Sequence, residues 1–146
     1  MNGQSGLLLD TAVLADIRSP DPSAALRDFL RCRSSLRIFI SALTLGDLPK
    51  PDRAWLQELT GRFGCHILPV DPGVALASTG LDHDTGTLTV VVAATALHHD
   101  LTVVTDRPED FRRLGAAAVD PWHAAPVPPA HPPQGEGTDA GTGVTA

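Results

Sequence analysis

A chain of 146 residues with 42% hydrophobic content is long enough for one domain with a real core and too short for two ordinary ones. Its formal charge of -6 argues against gripping nucleic acid by bulk electrostatics, although Arg31, Arg33 and Arg37 form a local basic cluster suited to phosphate. Its longest apolar run, 90–97, is far below the roughly 20 residues of a membrane helix. The start "MNGQSGLLLD" also lacks an export-type pattern, and Cys32 and Cys65 stand in no metal or redox spacing. The implied setting is cytosolic, with reduced thiols and no membrane.

Leu7 to Leu9 form a short apolar run that predicts a buried parallel strand, followed by a short helix in "TAVLADI". Ser19, Pro20, Asp21 and Pro22 supply helix-start chemistry, and Leu26, Phe29 and Leu30 at helical spacing predict a helix through about Cys32. "LRIFISALT" predicts a second strand. Trp55, Leu56, Leu59 and Phe63 make a helical stripe ending near Gly64. "HILPVD" predicts a third strand and "PGVALAS" a short helix with proline in its first turn. "TVVVAATALHHD" is apolar all round, but Ala93, Ala94 and Ala96 favour a helix lying close against a sheet. "LTVVTD" predicts the fourth strand, "PEDFRRLG" a helix and "AAAVDPW" an edge strand.

This alternation predicts an α/β domain with a mostly parallel sheet over residues 1–122. After Trp122 the chain turns to Pro, Gly, Ala and Thr without apolar periodicity, so 123–146 reads as a disordered tail.

Ligands of open parallel sheets bind beyond the carboxyl ends of the strands. Three strands here end in aspartate, at Asp10, Asp71 and Asp106, and Asp47 follows the second strand by a few residues, before the next helix. Carboxylates gathered there repel one another, and a hard cation such as Mg²⁺ relieves the repulsion while keeping waters able to attack phosphate. An aspartate between strand and helix is equally a common N-cap, and Asp71, ahead of Pro72, is the most cap-like. A nucleotide cradle is excluded by the missing Gly-rich turn and P-loop, and Lys50 is the only lysine. His98, His99 and Asp100 resemble a metal cluster only superficially, because adjacent helical side chains diverge by about 100°. Imidazoles at a helix C-terminus also suit its dipole.

"LLLDTAVLADI", "IFISALTLGDL", "ILPVDPGVALA" and "VVVAATALHHDLTVVTDRPEDFRRLGAAAVDPW" together resemble the PIN-domain ribonucleases of the VapC/FitB type, toxins of type II toxin–antitoxin pairs. The likeness runs in order from Leu7 to Trp122. It implies a three-layer α/β/α sandwich, a Mg²⁺- or Mn²⁺-dependent endoribonuclease acting on RNA, a homodimer and a small antitoxin partner. Position by position, the first acid falls on Asp10 and the second, usually Glu, on Asp47. The third falls on Thr89 and the fourth, usually Asp or Asn, on Arg107.

The resemblance therefore implies Asp10 and Asp47 as catalytic, metal-holding residues, with Asp106 and Asp110 as shifted carboxylates that assist. The loss of charge at Thr89 and its reversal at Arg107 motivate the alternative: a PIN fold impaired in cleavage that acts through antitoxin binding or self-association.

Overall fold

Leu7, Leu8 and Leu9 offer water no polar face, so the strand they form has to be covered on both sides. The computed structural model, which describes residues 6–49 and 52–123, places that strand, β1 (Gly6–Leu9), at the centre of a five-stranded sheet. Lys50 and the tail expected over 123–146 lie outside the described residues, apart from His123. The remaining strands are β2 (Arg37–Ser41), β3 (Ile67–Leu68), β4 (Leu101–Val104) and β5 (Ala118–Val119), in the order β3-β2-β1-β4-β5. Every described pairing is parallel.

Alternation along β1 divides the core. Leu8 packs with Val90, Val92, Ala93, Ala96, Val103 and Phe111 on one face. Leu7 and Leu9 pack with Val13, Leu26 and Phe29 on the other. The helices α1 (Thr11–Arg18) and α2 (Ala24–Cys32) thus cover one face, while α6 (Thr87–His99) and α7 (Pro108–Arg113) cover the opposite one. The result is the expected three-layer α/β/α sandwich. Between β2 and β3 lie α3 (Ala42–Asp47) and α4 (Arg53–Phe63), joined to the core through Leu14, Ile40 and Leu48 with Trp55, Leu56 and Leu59. Helix α5 (Pro72–Thr79) packs along α6. Among the described residues, no helix is long and apolar enough to cross a membrane.

Two strands are shorter than their sequence patterns. The third stops at Leu68 because Pro69 has no N–H to continue the ladder. The second stops at Ser41, whose Oγ accepts from the Leu43 N–H at 3.3 Å and so caps α3. "ALTLGD" is therefore helix, and Asp47 is its last residue instead of preceding the next helix.

Candidate functional site

Register brings the strand ends level. Leu9 pairs with Ile40 on one side and with Val104 on the other, so Asp10, Ser41 and Thr105 emerge together at the carboxyl edge. Asp10 stands at the N-cap position of α1 but makes no side-chain cap there, and it is 4% exposed. Its carboxylate turns instead to Thr105, whose Oγ1 donates to Asp10 Oδ2 at 2.7 Å. The same hydroxyl oxygen accepts from the Arg107 backbone N–H at 3.0 Å. A buried carboxylate is thereby satisfied by a threonine that the sequence pattern had not singled out. The signal available was its position: Thr105 is the first residue past β4, level with Asp10.

Asp47 reaches the same edge from the end of α3, where Thr11 Oγ1 donates to its Oδ2 at 2.8 Å. Asp10 and Asp47 are thus tied to adjacent parts of one edge, but each carboxylate is held by its own hydroxyl. Asp106 and Asp110 follow β4, and Arg107 lies between them in sequence and in space. Its guanidinium nitrogens stand 3.7 Å from Asp10 Oδ2, 3.9 Å from Asp106 Oδ1 and 3.6 Å from Asp110 Oδ2. The guanidinium is half-exposed, so these contacts add little to stability. Their consequence is electrostatic: a permanent positive charge already sits among the three carboxylates.

Thr89 occupies the first turn of α6 and is buried. Asp100, with φ 55° and ψ 52°, turns α6 directly into β4, so α6 runs back along that strand and carries Thr89 to the edge where β4 ends. Asp71, by contrast, is the cap its sequence suggested. It precedes α5, and its Oδ1 accepts from the Val74 N–H at 2.9 Å. That hydrogen bond, with the nearby His98 and His99, holds its carboxyl below the ordinary 3.8 against the opposing effect of desolvation.

No protein-family model and no curated protein matches the chain. Solved structures do. A chain of FitAcB from Neisseria gonorrhoeae is 26% identical, with a TM-score of 0.61, over 81% of this chain and 99% of that one. The chain shares the fold of the VapC/FitB-type PIN-domain proteins. The PIN fold recurs at lower identity in DNA-bound VapBC from Salmonella typhimurium, 22% identical with a TM-score of 0.57 over 80% of this chain and 98% of that one. It recurs again in VapBC2 from Rickettsia felis bound to a promoter DNA fragment, at 16% identity and a TM-score of 0.59 over 77% and 96%.

A PIN domain's acidic edge can be tested for a hard divalent ion by its donors. Mg²⁺ or Mn²⁺ is held by oxygens, carboxylates foremost. Here Thr89 supplies no charge, and the three acids nearest the β4 end share Arg107. Among the described residues, the only His, Cys, Asp or Glu trio with ligand atoms all within 4.8 Å of one another is Asp71, His98 and His99, which includes none of the edge aspartates. The edge as arranged does not fit the ion.

Proposed function

We propose that this protein is the VapC-like member of a toxin–antitoxin pair in which the PIN fold and its antitoxin-binding role persist while metal-dependent RNA cleavage is lost. The observation that carries the reading is the Arg107 guanidinium, within 3.6–3.9 Å of Asp10, Asp106 and Asp110. A Mg²⁺ or Mn²⁺ ion at Asp10 and Asp47, the site the family resemblance implies, would have to displace that charge and find further oxygens. Its neighbours support the partner: FitAB, VapBC and VapBC2 are all structures of complexes, and three of them hold DNA. With a net charge of -6, this chain leaves most of the phosphate contact in such an assembly to the antitoxin. Leu76, 72% exposed on α5, and Leu97, 41% exposed on α6, supply apolar surface for self-association into a homodimer.

Incubation of the purified chain with structured and single-stranded RNA, in Mg²⁺ and in Mn²⁺, should leave the RNA intact. Mn²⁺-dependent cleavage that disappears in Asp10→Asn and in Asp47→Asn would instead establish an active ribonuclease with Asp10 and Asp47 as its metal-holding residues. Co-expression with a candidate antitoxin should yield a stable complex in either case.

A further inference from the structure

We propose that Asp71, His98 and His99 form a binding site for a borderline divalent cation of the Zn²⁺ class, separate from the acidic edge. One ligand-type atom from each of the three residues lies within 4.8 Å of the others. Adjacent histidines on a helix diverge by about 100°, which argues against a shared ion in a helix interior. These two occupy the last turn of α6, and their rings converge to a centroid distance of 4.9 Å in an edge-to-face arrangement. The third ligand is Asp71, brought from the start of α5, and not the neighbouring Asp100.

Two further features point to a ligand. His99 Nε2 is buried and accepts or donates no hydrogen bond. An imidazole nitrogen in that state has lost water without gaining a partner, which a metal ion or its bound water corrects. Beside His98 the helix carries glycine: a Cβ at Gly73 would stand 2.6 Å from His98 Nε2 and 3.3 Å from Asp71 Oδ1. The absent side chain lets the His98 ring lie against the first turn of α5, close to the Asp71 carboxylate.

The donor set selects the ion. Two imidazoles and one carboxylate suit Zn²⁺, Ni²⁺, Co²⁺ or Cu²⁺ rather than Mg²⁺ or Ca²⁺, and three protein ligands leave a coordination position for water. Around Zn²⁺ at about 2.0–2.1 Å, tetrahedral ligand atoms lie roughly 3.4 Å apart, so the trio must contract by about 1.4 Å at most. His98 is exposed and Asp71 partly so, which leaves the side chains free to make that movement. Asp71 keeps its cap while binding, since a carboxylate has acceptor sites beyond the one that Val74 uses. A bound ion ties the first turn of α5 to the last turn of α6, about 14 Å along the α6 axis from Thr89.

The test is titration of the full chain with Zn²⁺ by calorimetry and with Co²⁺ by visible absorption, after chelator stripping. A Cys32→Ser, Cys65→Ser background removes the two exposed thiols. The expected affinity is on the order of micromolar. His98→Gln, His99→Gln and Asp71→Asn should each weaken it at least about tenfold, Asn preserving the α5 cap. Gly73→Ala, which suits the helix but pushes His98 aside, should do the same with the fold intact by circular dichroism. His83→Gln, outside the trio, should change nothing, and the Zn²⁺-induced rise in Tm should vanish with binding. Absence of saturable binding below about 100 μM, or binding that the three ligand variants leave unchanged, would overturn the proposal.

Discussion

A guanidinium cannot be discharged by pH, and at Arg107 its nitrogens contact carboxylates on β1's end, the β4 turn and α7. Replacing it by acid reverses the balance at the point where the family carries Asp or Asn. Arg107→Asp should lower Tm in metal-free buffer and recover it in Mn²⁺, with Mn²⁺ bound at least about tenfold more tightly than by the wild type. A second residue-scale prediction concerns Asp71. Its folded pKa is lowered, so its charge stabilises the fold above the ordinary value of 3.8 and that contribution is lost as pH falls through the lowered one. Asn caps a helix as well as Asp but does not titrate. In chelator-treated protein, the acid limb of a Tm–pH curve should therefore lose this component in Asp71→Asn, while the two proteins diverge most above pH 4.

Helix α6 shows how one element serves two ends. Its middle is largely buried, Val90 and Val92 to Ala96 being in the core with Val91 partly exposed, so it has no polar face to set its orientation. Orientation comes from its termini instead. The Asp100 turn fixes the C-terminal end with a left-handed backbone that costs a non-glycine residue about 1–2 kcal/mol. Asp100→Gly should therefore raise stability by about 1 kcal/mol in urea unfolding, aided by removal of a negative charge from a helix C-terminus. The shortening of β3 has an equally local cause in Pro69, and it confines the sheet's outer edge to two residues.

At the scale of the molecule, the two core faces meet the sheet unequally. Phe111 of α7 is fully buried among Leu8, Val90, Ala93 and Val103, so it couples α7 to α6 and to the central strands. Phe111→Ala should cost about 3–5 kcal/mol, read as a lowered urea midpoint with unchanged slope. The end of the described chain is drawn back to the opposite layer by Trp122, whose Nε1–H donates to Asp16 Oδ2 at 2.8 Å. Asp16 also accepts from the Ser23 N–H at 2.9 Å, so one carboxylate joins α1, the start of α2 and the segment after β5.

Periodicity and the order of apolar runs made the alternating α/β architecture legible, because strands buried on both faces and helices covering them leave their patterns in consecutive residues. The same is true of the Asp71 cap, a local contact between residues three apart. The boundaries at Ser41 and Pro69 were legible only in part: the β-branched run masks the α3 start, while Pro69 states its own limit. Candidate acids at Asp10, Asp47 and Asp106 could be named from strand ends, and Asp110 from the family resemblance alone, but their partners could not. Thr105 meets Asp10 across 95 residues and Thr11 meets Asp47 across 36, through strand register and helix placement. Folding likewise set Arg107 among three carboxylates and drew Asp71 to His98 and His99, contacts that depend on how separate elements pack, a relation no run of neighbouring residues encodes.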